Sequence, residues 1–304
     1  MPAEGIHLTA VREATAAPQL SPAVRRRLVK YDDAARFGAI LVDLPYFHRY
    51  ALEVARYLTG RPAGASRWGA ELHEGGAVGL LQALVERARR DRDPVLGAIA
   101  LGVASHCAMD RALHPLVNSL ARKFPVGKSH DASHREVEKF QSICFHEAYL
   151  GRDTMGTAEI SGYLTIRLAG TLEVPHARAI RDAWRASNRE TPTQAELAGL
   201  RRGYRMHAGL LGTPLGKLVA PPAAKEAARP RYLAGAWGNF ESLLAAAVQL
   251  SLRVLDAAGA ALDASDHDAK AALAALATLL PAGTIDPGGE DVDLARPWGG
   301  AVAG

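Results

Sequence analysis

Residues 93–117 read DPVLGAIALGVASHCAMDRALHPLV. Asp93 before Pro94 is a helix opening: a capping carboxylate, then a ring that presets φ for the first turn. The run through Leu113 shows helical rather than period-two spacing, so it reads as one helix. Its apolar first half places it in the interior. His106 and Asp110 are four residues apart on it, on one face and about 6 Å from each other. His114 continues the same row. Buried charged groups need partners or a metal, so this row is where chemistry is sought.

The rest of the chain carries the same helical pattern. Apolar residues recur at helical spacing nearly throughout, with no fixed-period repeat. Ser21–Pro22 opens a helix running through VRRRLVKYDDAARF toward Gly38. Gly76 to Arg90 puts Leu80, Leu81, Leu84, Val85 and Ala88 on one face. Ser133 to Glu136 has the S-x-x-E spacing of a capping box, opening HREVEKFQSICFHEAYL, which Gly151 closes. Further helices are expected over about 157–169, 176–187, 194–210, 232–258 and 266–280. Stretches 59–66, 118–132, 187–193 and 212–231 read as loops. The expectation is a single all-α domain over residues 1–280 with a loose tail over 281–304. A division near 150–157 is the alternative.

Composition narrows the class. With 48% apolar and 22% charged residues in 304, the chain is globular rather than disordered. Two cysteines exclude a disulfide-built scaffold. No apolar run approaches the roughly 20 residues of a membrane span; the longest uncharged stretch is Pro94 to Met109. The first residues, MPAEGIHLTAVREA, have no apolar signal core. A soluble, cytoplasmic protein is the expectation. The charge balance of +4 suits a phosphate-bearing partner without identifying one.

Six of the eleven histidines lie between residues 73 and 146, about a quarter of the chain. His134 and Glu138 repeat the i, i+4 arrangement on the next helix, with Glu136 assigned to the capping box. A single such pair is more often a hydrogen bond or ion pair. Two pairs together with His114 favour a metal, and imidazole with carboxylate suits Zn²⁺.

At these residues a resemblance emerges. SHCAMDRALHPLV followed by SHREVEKF resembles the zinc-dependent phospholipase C family. The likeness extends upstream to Asp43 in LVDLPYF, His73 in WGAELHEGG and His7 in GIHLTA. It covers residues 7 to 138, and the spacing H-x₃-D-x₃-H-P is closest to a bacterial branch of the family. The resemblance implies a compact multi-helix fold, related to that of zinc nucleases, and two or three zinc ions. One zinc would take Asp43, His73, His106 and Asp110. A second would take His114, His134 and Glu138. A third would take His7 and the other oxygen of Asp110, completed in the family by the N-terminal amine. The secreted members begin with Trp after processing, whereas here Pro2 follows Met1.

Zinc ions about 3.5–4 Å apart clamp a phosphodiester, with Asp43 as candidate general base. The expected substrate is a phospholipid or related phosphodiester, with peripheral membrane contact. Nucleic acid or a phosphomonoester is the alternative substrate, and a non-catalytic helical metal-binding or interaction protein is the competing class. Tyr46 and Phe47 are read as core with a headgroup pocket as the alternative, and Trp68 as core. Cys107 and Cys144 are read as small apolar groups. His130 and His146 are assigned surface or capping roles ahead of support for the ligands. His48 is left open, and His176, His207 and His267 lack partners at ligand spacing. Arg25–Arg26–Arg27 reads as a solvated face, and Trp237 and Phe240 as core.

Overall fold

A computed structural model describes residues 4–59, 61, 64, 68–126, 129–234 and 237–287. Among these residues there is no strand; the architecture is all-α. In chain order the helices are α1 (Glu4–Ala16), α2 (Pro22–Lys30), α3 (Asp32–Leu41), α4 (Tyr50–Leu58), α5 (Gly69–Glu71), α6 (Ala77–Asp91), α7 (Pro94–Lys123) and α8 (His130–Leu150). There follow α9 (Ala158–Leu164), α10 (Leu168–Thr171), α11 (Val174–Ser187), α12 (Gln194–Leu211), α13 (Gly216–Val219), α14 (Pro222–Arg229), α15 (Trp237–Asp263) and α16 (Ala269–Leu279). A 3₁₀ turn spans Leu44–Phe47, and single π turns span Leu72–Gly76 and Pro230–Ala234.

Helix α7 is the axis of the fold. Asp93 accepts the Val95 and Leu96 amides at 2.9 Å each, and Pro94 occupies the first turn. From Leu96 to Asp110 every residue is buried, as suits a helix wrapped on all sides. Helices α3, α6 and α15 pack on it, and α15 is pinned by a buried Ser251–Ser105 hydroxyl bond of 2.9 Å. The α3 crossing is the tightest. A Cβ on Gly38 would lie 2.0 Å from the Ile99 carbonyl oxygen, and one on Gly102 would lie 2.0 Å from that of Ala35. Only glycine at both positions lets the two backbones touch.

Several boundaries differ from the sequence reading. Helix α7 passes through Pro115 to Lys123, taking in the first part of the expected 118–132 loop. Pro115 removes one N–H from the ladder, but the buried Leu116, Val117 and Leu120 hold the continuation. Helix α8 starts a turn earlier than expected. Ser129 is its cap, accepting the Ala132 amide at 3.2 Å, and Ser133 lies inside, accepting the Val126 amide at 2.8 Å. Glu136 instead pairs with Lys139 at 2.7 Å. The expected helix from Pro22 to Gly38 breaks at Tyr31 into α2 and α3. The 212–231 stretch contains α13 and α14. Within α15, Leu243–Asp263 is long and apolar enough to cross a membrane by length and composition, at mean hydropathy 1.4, contrary to the expectation that no run approaches a span. The stretch is interrupted by Arg253 and Asp256, which hid it, and half of it is buried inside the fold.

The chain does not end its packing at α16. Residues 281–287 fold back toward α7: the Ile285 amide donates to the His73 carbonyl at 2.9 Å, and Ile285 is fully buried. The remainder of the expected loose tail, 288–304, lies outside the described residues.

Candidate metal centre

The eight sequence-derived candidates come from five separate stretches of chain. His7 lies on α1, Asp43 between α3 and the 3₁₀ turn, and His73 in the π turn before α6. His106, Asp110 and His114 line one face of α7, and His134 and Glu138 face them from α8. A π turn widens a helix locally and is common at functional sites; here it carries His73.

Asp110 is the hub. His106 Nε2 lies 2.9 Å from its carboxylate, His7 Nε2 3.2 Å, and His73 and His114 Nε2 3.5 Å each. Asp43 closes the first side of the cluster, 3.3 Å from His73 and 3.9 Å from His7. Glu138 closes the other, 3.3 Å from His114 and 3.4 Å from His134. Possible ligand atoms of Asp43, His73 and His106 all fall within 4.8 Å of one another, as do those of His7, His106 and Asp110 and, with Asp286 where the sequence suggested Glu138, those of His114, His134 and Asp286. The structure thus brings all eight together. The first three residues, where an N-terminal amine would complete a third site, lie outside the described residues.

The far ring nitrogens show how the imidazoles are held. His106 Nδ1 donates to the Ala39 carbonyl at 2.8 Å, across the glycine-lined α3–α7 crossing. His73 Nδ1 donates to the Gly69 carbonyl at 2.8 Å, and His134 Nδ1 to Asn118 Oδ1 at 2.9 Å. Each bond puts the proton on Nδ1 and leaves the Nε2 lone pair facing the cluster, as a metal ligand requires. His106 Nε2 and Asp110 Oδ2 are buried without a hydrogen-bond partner although they are neighbours. Two orphaned acceptors aimed at common space are what a shared cation would satisfy.

The electrostatics agree. Burial opposes ionisation of Asp110, yet His106, His114 and His7 hold it well below the usual carboxylate range. Burial likewise opposes ionisation of Glu138, and His134 and His114 hold it well below its ordinary value. Burial should lower His73, but Asp43 and Asp110 raise it to about 9. His7 and His114 are also raised against burial, chiefly by Asp110. Buried carboxylates this close together demand positive charge. Without a metal the raised imidazoles supply that charge as protons; zinc would supply it in their place and leave them neutral, and neutral imidazoles with carboxylates are the donor set zinc prefers, so these residues fit that ion.

A cavity of about 1230 Å³ opens onto the cluster, lined by Asp43, His73, His114, His134 and Glu138. Its outer walls include Leu52, Leu215 and Leu218, which are 45%, 59% and 54% exposed. Tyr46 lines it 5.6 Å from the His73 ring, whereas Phe47 packs into the core against Tyr204. His48 also lines the cavity, edge-on to the buried Trp68.

The remaining polar residues take other places. His130 is exposed at the start of α8, as expected, and its Nε2 also donates to Asn118 Oδ1 at 2.9 Å. His146 is buried, packed on Tyr163 and against Gly5, rather than exposed or capping. His207 is buried between Glu4 and Tyr50; His176 pairs with Asp93, and His267 with Asp268. Cys107 and Cys144 are buried free thiols whose acidity burial suppresses. Of the three arginines, Arg25 bonds the Leu20 carbonyl and Arg27 pairs with Asp263; only Arg26 is a solvated face. The side chains of Trp237 and Phe240 lie outside the described residues.

Sequence reading missed two residues at the centre. Asn118 fell in an expected loop, and Asp286 in the expected tail. Asp286 Oδ1 lies 3.1 Å from His114 Nδ1 and accepts from Asn118 Nδ2 at 2.6 Å. His114 and Asn118 hold its carboxyl down at about 2 against burial. Asn118 and Asp286 are 168 residues apart, so no local spacing announces the pair.

No curated protein and no solved structure matches the chain. The family model described as Zinc dependent phospholipase C matches residues 6–178, more than half of the chain and inclusive of all eight candidates. With its all-α fold and its convergent His and Asp groups, the chain belongs to the zinc-dependent phospholipase C family.

Proposed function

We propose that the chain hydrolyses phosphodiesters as a phospholipase C-like enzyme on two or three zinc ions. The observation that carries this reading is the convergence of four imidazoles on the buried Asp110 carboxylate. His7, Asp43, His73, His106, Asp110, His114, His134 and Glu138 would hold the ions. When bound, zinc supplies Lewis acidity: it lowers the pKa of water and neutralises phosphoryl charge.

The chain's own residues do the rest. Asp43 would take a proton from an attacking water; its position at the border of the cluster and the cavity supports that role. Tyr46, beside His73, forms the wall where a headgroup would lie. The apolar rim of Leu52, Leu215 and Leu218 suits a substrate with acyl chains, and Arg49, Arg56, Arg135 and Lys139 in the same lining suit its phosphate.

The test is hydrolysis of short-chain phosphatidylcholine beside single-stranded DNA and a phosphomonoester. Release of phosphorylcholine that stops on chelation and returns with zinc supports the reading. Cleavage of DNA or of the monoester alone refutes the substrate class.

A further inference from the structure

We propose that Asp286, on the segment that returns after α16, orients His114 and, through Asn118, His134, and so slows zinc loss from the side of the cluster built by α7 and α8. The inference rests on the zinc reading above. It concerns a residue outside the stretch matched by the family model, which ends at residue 178.

His114 Nε2 faces Asp110 and Glu138, so its other nitrogen, Nδ1, must be held from behind. That atom is buried and makes no hydrogen bond of regular geometry; its ion-pair partner is the Asp286 carboxylate, 3.1 Å away. A ligand imidazole whose far N–H meets a carboxylate is fixed in orientation and made a better donor. Asn118 extends the arrangement. Its amide nitrogen donates to Asp286 at 2.6 Å, which leaves its amide oxygen to accept from His134 Nδ1. One carboxylate therefore sets two imidazoles, one directly and one through an amide whose flip it fixes.

The segment is anchored independently of this contact. Thr284 Oγ1 and the Ile285 amide both donate to the His73 carbonyl at 2.9 Å, and Ile285 is buried. Docking and carboxylate can thus be separated by substitution.

The experiment loads the full-length protein with zinc and follows its transfer to a chromogenic chelator, with the cobalt-substituted visible spectrum as a second readout. Wild type, Asp286→Ala, Asp286→Asn and Thr284→Ala are compared. Asp286→Ala should release one class of zinc roughly 10- to 100-fold faster and alter the cobalt bands. Asp286→Asn keeps an oxygen acceptor and should stay within a few-fold of wild type, as should Thr284→Ala. Identical release and spectra for Asp286→Ala and wild type would overturn the proposal while leaving the zinc site standing. Equal acceleration by Thr284→Ala would also overturn it, by assigning the effect to segment docking. Wild type that takes up no zinc would refute the zinc reading itself, and this inference with it.

Discussion

Gly102 sits in α7 where it crosses α3. An added Cβ would lie 2.0 Å from the Ala35 carbonyl oxygen, 2.6 Å from the Ala39 nitrogen and 2.8 Å from the Gly38 carbonyl carbon. All three are backbone atoms, so no side chain can move aside. Reaching an ordinary contact of about 3.5 Å would part the helices by roughly 1.5 Å. Overpacking of this kind costs about 3 kcal/mol at the upper end of its usual range. Alanine returns about 1 kcal/mol as the better helix former, so Gly102→Ala should be destabilised by about 2 kcal/mol. With an unfolding entropy of about 2.1 cal/mol/K per residue, that is a fall in Tm of about 3 °C. The same parting would take His106 Nδ1 out of reach of the Ala39 carbonyl, now 2.8 Å away, so zinc retention should fall as well. Thermal unfolding and bound zinc are measured beside Gly199→Ala, in α12, where an added Cβ meets nothing within 4 Å. That control should gain up to about 1 kcal/mol. Gly102→Ala unfolding at or above wild type would refute the crossing as the device that sets His106.

Phe47→Ala should lose about 3–5 kcal/mol in urea unfolding, since the ring is buried against Tyr204, whereas Tyr46→Ala, at a half-buried cavity wall, should lose less and raise KM for a phosphorylcholine ester. His146 is held below 6.5 by burial. The unfolded chain therefore binds that proton first, and the contribution of neutral His146 is complete above about pH 6.5 and lost as pH falls through the lowered folded value. His146→Phe should flatten this part of the urea-midpoint profile between pH 7.5 and 5. Chelation of the wild-type protein should abolish hydrolysis, with added zinc restoring it.

What was legible in the sequence was what helix geometry makes local. The i, i+4 pairs His106/Asp110 and His134/Glu138 each sit on one helix, so spacing alone put their side chains on one face. Helix existence followed from the same periodicity, and the Asp93–Pro94 opening from capping chemistry. Boundaries were less readable where several residues compete for one role. Ser129 and Ser133 both suit a cap, and the choice is made by the Val126 amide that Ser133 accepts. The turn-rich stretch from residue 118 reads as a loop, yet burial of Leu116, Val117 and Leu120 carries α7 past Pro115. Asp286 was illegible because its partners are brought to it only by the return of the chain across α7, through anchors at the His73 carbonyl.

The central claim is that the buried His and carboxylate cluster holds zinc. Its most direct test is metal content by mass spectrometry on purified protein, beside His106→Ala and the isosteric Glu138→Gln. The account predicts two or three zinc ions per chain, with fewer in both variants. Wild type that neither carries zinc nor takes it up when supplied, or variants with unchanged zinc content, would contradict it.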